Sequence, residues 1–463
     1  MAHLPRLSMR GVLGPEQGPA APGDRAWLTE TPMNRLAAYS IIAGIVTGVL
    51  VAGVNWAVIL TERAVFGVDH LQVLSPAESV TPTRLAITLI GVGIVTAVLW
   101  FLLDRFGRPQ VAVPGAMQGK DMPVVTTLLS AFLQVCSSAA GAPIGRENAP
   151  RLVGGLAAAG MATTFRLDGE ARKILVASAA GAGLAASFHL PLAGALFALE
   201  LLLVEMSTRT VIATMVCSAT AVATTSLLFD NPPFYVALPL TEGPRFLLAA
   251  VIVGAVAGSA GHFFGRVALR MAAHHARGVS LLWQMPLAFI VVAAVARVIP
   301  GASSNGRWAV QTTLDMGGLL SGPWDATGRV MLASLALLFL ARTVLTLLCF
   351  RVGTIGGTLT PAFAMGGTIG AAVGIVMQPL FPDVAVGAFA LMGAAAFLCT
   401  TMAAPMFSML AAVELTDMPS QGYLAMFVAV IAASLATRAW AVITDKEHRA
   451  LPFTSQAWTG ESL

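Results

Sequence analysis

Long apolar stretches separated by short polar segments run through most of this chain. About 20 apolar residues form a helix that crosses a bilayer. Stretches close to that length lie at residues 36–60, 84–103, 211–228, 246–268, 280–299, 330–352 and 424–442. They are too long for the strands of a membrane barrel, which take about 9–11 residues. The pattern therefore predicts an all-α, polytopic membrane protein.

Two other regions are apolar but interrupted. The first, at residues 124–205, is broken at 145–150, 166–173 and 189–191, and the second extends from 361 to 415. Irregular backbone at membrane depth persists only where it is buried in protein or lines a cavity. We therefore expect broken and re-entrant helices around a pathway, and a polar loop at 300–327.

One short frame, Ile-Gly, four residues, then Pro, occurs twice. The copies end at Pro150 and Pro361, so their offset is 361 − 150 = 211 residues. A run of small and apolar residues follows each copy. Chance similarity is the alternative interpretation, because glycine and alanine are abundant here.

A second pair of motifs has nearly the same offset. Pro191 precedes Glu200 by nine residues and Pro405 precedes Glu414 by nine, with 405 − 191 = 214. Matching interruptions in two halves indicate a transport site near the bilayer midplane. We predict one membrane domain at 36–443, made of two inverted repeats at 36–229 and 246–443. A disordered leader at 1–35 precedes this domain, and a short tail at 444–463 follows it.

Each frame is typical of an anion site. A half-helix that begins in the membrane presents unpaired N–H groups and the positive end of its dipole. Gly145 and Gly357 would let the backbone approach an ion, and Pro150 and Pro361 suit a first helical turn. Partial charges would hold the anion less tightly than full charges, which conduction requires.

Glu147 lies inside the first frame. Its carboxylate would occupy the anion site when ionised and leave it when protonated, which couples gating to pH. The alternative is a helix N-cap or a partner of Arg146. Glu200 and Glu414 are expected to be helix-end carboxylates packed against loop amides, and Arg342 is expected to reach an interface.

Composition narrows the function classes. The chain has 463 residues, of which 57% are hydrophobic and 11% charged, against about 25% charged in soluble domains. The sequence contains no basic cluster with interleaved aromatics, no metal-type Cys/His spacing and no nucleophile–base pair. We therefore expect neither a nucleic-acid partner nor enzymatic chemistry, with no cofactor and no metal or catalytic residues.

Four ordered motifs resemble the CLC family of chloride channels and chloride/proton antiporters. They are Gly145-Arg146-Glu147, the 183–194 segment around His189-Leu190-Pro191, Gly357-Thr358-Leu359-Thr360-Pro361, and Glu414-Leu415-Thr416-Asp417. The resemblance implies an inverted-repeat fold with broken and re-entrant helices, a homodimer, and Glu147 as the gate. It also implies that backbone amides contact the anion. The residues expected to bind it are Gly145, Arg146, Asn148, Gly357, Thr358 and Leu359.

Several positions depart from the family pattern. Asn148-Ala149 replaces Gly-Pro, Leu359 replaces an aromatic residue, and the stretch 107–115 has no serine. No counterpart of the family's pore tyrosine is found. Leu201 stands where antiporters of the family carry a second glutamate.

These departures favour channel-like transport of chloride through a glutamate-gated pore. A chloride/proton antiporter on the same fold is the alternative, with Glu200 and Glu205 as a possible proton path, Glu205 being one helical turn beyond Leu201. Another inverted-repeat transporter is a remote alternative. Net-positive segments before 36 and at 104–122 predict that both termini are cytoplasmic. We expect the protein in the plasma (inner) membrane of a prokaryote. The tail is expected to be too short for CBS domains.

Overall fold

The computed structural model describes residues 31–67, 80–229, 233–237, 243–317 and 325–444. Helices α1 to α8 fill the first half, in the order Met33–Phe66, Pro82–Phe106, Val113–Met117, Val124–Ala139, Asn148–Thr164, Gly169–Phe188, Pro191–Phe197 and Thr208–Ser226. A π-helical turn, Ala198–Leu203, continues α7. The predicted leader lies outside the described residues up to residue 30, and the tail lies outside them from residue 445.

The second half repeats this order with helices α9 to α16. They are Pro244–Ala273, Leu281–Val298, Arg307–Leu314, Ala326–Arg351, Leu359–Met377, Val386–Met402, Pro405–Thr416 and Tyr423–Thr444. Short 3₁₀ turns lie at Gly278–Ser280, Pro300–Ala302, Gln378–Leu380 and Ser420–Gly422. No β-strand occurs in the described parts of the chain.

Equivalent helices pack in equivalent ways in the two halves. Helix α1 packs on α8 and α9 on α16, while α5 packs on α6 and α13 on α14. In the last two pairs a glycine allows the helices to touch. A Cβ at Gly154 would lie 2.2 Å from the Ala179 carbonyl oxygen, and one at Gly366 would lie 2.4 Å from the Gly393 oxygen. Small residues at such crossings let backbones approach closely, so the duplication extends to packing.

Seven of the described helical segments are long and apolar enough to cross a membrane. Shorter apolar helices, including α4, α14 and α15, lie among them. The prediction of an all-α membrane protein with broken helices is confirmed. The 300–327 segment was predicted to be a polar loop, and that was wrong in part, because it contains α11. Gln311 on α11 is buried and hydrogen-bonds to both the N–H and the carbonyl of Val236.

The predicted breaks lie where the chain turns sharply. His189 and Ala403 both adopt left-handed backbone angles, with φ of 61° and 54°. Each ends a helix, and α7 and α15 begin two residues later at proline. Pro fits the first turn of a helix because the missing N–H would be unpaired there anyway.

Candidate functional site

The two frames meet in the interior of the protein. The Gly145 N–H donates to the Gly357 carbonyl at 2.9 Å, and the Gly357 N–H donates to the Gly145 carbonyl at 2.8 Å. This pair forms an isolated antiparallel bridge. By the 211-residue offset the equivalent of Gly145 is Gly356, so Gly357 lies one residue beyond it. The reciprocal pair therefore brings the two frames together with a shift of one residue. Helices α5 and α13 begin within three residues of the bridge.

The carboxylate of Glu147 lies between the two bridging glycines. The residue is 1% exposed, and its Oε1 accepts a hydrogen bond from the Leu359 N–H at the start of α13. A Cβ at Gly145 would lie 2.1 Å from Oε2, and one at Gly357 would lie 2.0 Å from Oε1. Only glycine leaves room for the carboxylate at both positions.

Glu147 therefore caps the opposite repeat. It stands at the N-cap position of α5, yet its side chain makes no capping bond to that helix. Within the described chain, Oε2 has no hydrogen-bond partner. A carboxylate in this position takes the place that a bound anion would have at the positive end of α13.

Arg146 points away from this centre. Its guanidinium lies 5.3 Å from the Phe188 ring and 5.6 Å from the Phe234 ring, and the residue is 7% exposed. The side chain does not line the cavity described next. Any anion contact by Arg146 would therefore come from its backbone, and the side chain instead packs between aromatic rings.

A cavity of about 130 Å³ adjoins Glu147. The N-terminal ends of α5 and α13 form one wall, and its other lining residues include Gln110, Ala272, His275 and Phe350. These four lie close to the ends of α2, α9 and α12. The cavity thus leads from Glu147 toward the face of the protein where those three helices end. Asn148, Gly357 and Thr358, three of the predicted contact residues, line it.

A chain of hydrogen-bonded side chains borders the cavity. Gln110 accepts from Ser130 at 3.1 Å, Ser130 accepts from Gln134 at 3.0 Å, Gln134 accepts from Asn148 at 2.8 Å, and Asn148 accepts from Arg151 at 3.1 Å. Gln110 belongs to the stretch that lacks the family's serine, and its amide is the polar side chain that this stretch contributes to the described cavity lining. No sequence motif pointed to Gln110, Gln134 or Arg151. Asn148 in place of glycine was the signal, because its amide joins Gln134 to Arg151.

Glu200 and Glu414 are reciprocal helix caps. Glu200 accepts hydrogen bonds from the Met406 and Phe407 N–H groups at 3.2 and 2.8 Å. Glu414 accepts from the Leu192 and Ala193 N–H groups at 2.9 and 2.8 Å. Each carboxylate thus satisfies the exposed amides at the start of the equivalent helix in the other repeat. The interpretation of both as helix-end carboxylates agrees with these contacts.

Glu200→Gln and Glu414→Gln should therefore destabilise the protein by similar amounts. Each removes a charge from two N–H donors, which costs about 1–3 kcal/mol. Thermal unfolding of the detergent-solubilised protein measures this loss. Glu205→Gln is the control, because Glu205 is exposed. Equal melting temperatures for all three variants would contradict the capping role.

Glu205 does not continue the helix beyond Leu201. The π-helical turn ends at Leu203, and Val204 adopts a left-handed conformation with φ of 53°. The prediction that Glu205 lies one helical turn beyond Leu201 is wrong, because the helix ends between these two residues. Glu205 is exposed and does not line the cavity.

Arg342 is also placed differently from the prediction. It is 0% exposed and donates to the Gly301, Ser303 and Ser304 carbonyls at 2.7, 3.1 and 3.3 Å. Its buried side chain therefore connects α12 to the segment before α11 by hydrogen bonds. A buried guanidinium is tolerated when carbonyl oxygens accept its hydrogen bonds.

Comparisons with known proteins agree with this architecture. Residues 91–438 match the family model described as voltage gated chloride channel. A curated relative, the H(+)/Cl(-) exchange transporter ClcA of Cronobacter sakazakii, is 30% identical over 291 residues, which is 60% of this chain and 59% of the relative. The chain thus matches about three fifths of that relative's length.

Solved structures share the fold. A slow cyanobacterial Cl⁻/H⁺ antiporter superposes with a TM-score of 0.73 at 22% identity, covering 89% of this chain and 95% of its own. A eukaryotic CLC transporter gives 0.69 at 17% identity, covering 92% and 74%. A CLC-type fluoride/proton antiporter gives 0.65 at 18% identity, covering 89% and 98%. At these identities the likeness establishes the fold.

Proposed function

Because the chain belongs to the voltage-gated chloride channel family, we propose that it moves chloride or a similar small anion across a membrane along a pathway gated by Glu147. One observation carries this proposal. The Glu147 carboxylate is seated against the N-terminus of α13, between two glycines that leave no room for a side chain of their own. A position that holds a carboxylate by a backbone amide also suits a free anion.

The gating step follows from the charge of Glu147. When ionised, the carboxylate is held by the Leu359 N–H and by the dipole of α13. Protonation removes the charge and with it most of that attraction, so the side chain can leave and an anion can take its place. The backbone of the two frames need not move, because the Gly145–Gly357 bridge holds it.

Reconstitution into liposomes tests this function. Purified protein in chloride-loaded vesicles should release chloride when a potassium ionophore dissipates the voltage, and protein-free vesicles should not. Recording the external pH in the same trace distinguishes the two modes of transport. Failure of the protein to accelerate chloride release above the protein-free rate would overturn the proposal.

Channel-like conduction and anion/proton exchange make different predictions in that assay. Leu201 in place of a second carboxylate favours a channel, which would release chloride and move no protons. The named relatives favour exchange, since both the Cronobacter protein and the cyanobacterial protein are described as exchanging chloride and protons. Exchange would draw protons into the vesicle as chloride leaves. Because both movements carry positive charge inward, exchange would need the ionophore as well, and the proton uptake is what distinguishes it from a channel.

The membrane setting extends the proposal. We expect a homodimer with one pathway in each subunit, as the family resemblance implies, and chemical cross-linking in the membrane would test it. Helix α1 begins, and α2 ends, on the face that the cavity leads to. If this face is cytoplasmic, as the charge pattern of the sequence predicts, the cavity is an inner vestibule of a prokaryotic plasma membrane protein.

A further inference from the structure

Arg151 is fixed beside the gate by three contacts. Its Nε donates to the Glu147 carbonyl at 3.2 Å, and its Nη2 donates to Asn148 Oδ1 at 3.1 Å. The guanidinium also lies over the Phe197 ring, 5.0 Å from the centroid. These contacts set both the plane and the position of the group, and the residue lines the cavity.

Much of the donor capacity of Arg151 remains unused. A guanidinium carries five N–H groups. The two hydrogen bonds above use the N–H of Nε and one N–H of Nη2. Nη1 makes no hydrogen bond to any described residue, and Arg151 forms no direct ion pair with one. The Glu147 carboxylate attracts the guanidinium from a greater distance. Arg151 is therefore a full positive charge with open donors, in a cavity where the sequence suggested only partial charges.

A hydroxyl lines the same cavity. Thr354 is 2% exposed. Its Oγ1 lies near the Cys349 thiol and makes no hydrogen bond to any described residue. Apolar side chains, among them Leu202 and Met402, complete the wall. The cavity volume of about 130 Å³ exceeds the roughly 30 Å³ that one water occupies in the liquid, so a polyatomic ion fits.

We propose that Arg151 is an anion-binding residue of this cavity and that it favours a planar oxyanion of the nitrate type over a spherical halide. The guanidinium is planar and offers parallel N–H groups, a geometry that two oxygens of one anion match and a halide does not. The Thr354 hydroxyl supplies a further donor. The proposal rests on the proposed function, because it assigns ligand chemistry to the same pathway.

The Glu147 carboxylate also lines the cavity and repels an anion while it is ionised. Arg151 offsets that repulsion, so an anion binds even when the gate is closed. A purely structural Arg151 would act only through Asn148 and the Glu147 carbonyl. Its loss would then change the affinities for nitrate and chloride by the same factor, so the ratio of the two affinities separates the roles.

Isothermal titration of the purified full-length protein, with sodium nitrate and separately sodium chloride, tests the inference. Arg151→Gln should weaken nitrate binding by about 10-fold or more, as loss of a charge-assisted pair does, and chloride binding by a smaller factor. Arg151→Lys keeps the charge and loses the fork, so it should restore chloride binding and leave nitrate weakened. Arg297→Gln, at an exposed arginine near the end of α10 that does not line the cavity, controls for general charge and should change neither.

Two results would overturn the inference. One is an unchanged ratio of nitrate to chloride affinity in Arg151→Gln. The other is nitrate binding by Arg151→Lys at the wild-type level, a result that decides the matter even if the glutamine variant does not fold. Vesicles that release chloride normally while either result holds would leave the proposed function intact. Vesicles that release none would refute that function instead.

Discussion

We expect that replacing Glu147 by glutamine abolishes the pH dependence of anion flux and leaves a folded protein. In the wild type, flux should rise on acidification, because a lower pH increases the protonated fraction of the Glu147 carboxyl. Glutamine has nearly the same shape and no charge, so it cannot be held at α13 as a carboxylate is. Its flux should equal the acid-stimulated wild-type rate at every pH.

Chloride release from vesicles between about pH 4.5 and 7.5 measures this effect. Glu205→Gln is the matched control, since Glu205 is an exposed carboxylate outside the cavity, and it should keep the wild-type profile. If the glutamine variant at 147 retained that profile too, another group would have to be the gate.

A single methyl group at Gly357 should disrupt the same site. A Cβ there would lie 2.0 Å from Glu147 Oε1, which no side-chain rotation within the closed arrangement relieves. We expect Gly357→Ala to unseat the carboxylate, remove the pH dependence, and destabilise the protein by about 1–3 kcal/mol, the usual cost of overpacking. Thermal unfolding and vesicle flux report the two effects.

A double-mutant cycle isolates the cause. In a Glu147→Ala background the carboxylate is absent, so Gly357→Ala should cost far less, and the difference is the interaction between the two residues. Gly160→Ala is the matched control on α5, because a Cβ at Gly160 meets nothing within 4 Å, and helical alanine is favoured over glycine. Equal costs of Gly357→Ala in both backgrounds would show that the clash involves something other than Glu147.

The sequence was most informative where the repeat constrained it. Pro150 and Pro361 hold the same third position in α5 and α13, and the two frames meet at glycines next to those helix starts. A duplicated pattern predicts such meetings because one packing solution serves both copies. The end of a helix is harder to predict, and Glu205 illustrates this. The left-handed turn at Val204 has no glycine to mark it.

The burial of polar side chains was also hard to predict from the sequence. Arg342 and Gln311 lie in polar-looking or interfacial contexts by sequence, yet both are buried because nearby carbonyls accept their N–H groups. Arg151 follows Glu147 by four residues, but only the fold brings it to Gln134 through Asn148. Partners of this kind are distant in the chain or depend on rotamers, and local patterns do not encode them.

The Gly145–Gly357 bridge is reciprocal in its backbone hydrogen bonds, whereas the side chains beside it differ between the repeats. The residue that corresponds to Glu147 in the second repeat is Thr358, since 358 − 147 = 211. A second carboxylate there would face the first across the bridge, and two such charges repel too strongly for both to ionise. A symmetric ancestor of two identical halves would have met that conflict. One acid and one hydroxyl avoid that conflict, and the two directions along the proposed pathway then meet different side chains. A difference between inward and outward flow would therefore originate in these side chains and not in the backbone of the bridge.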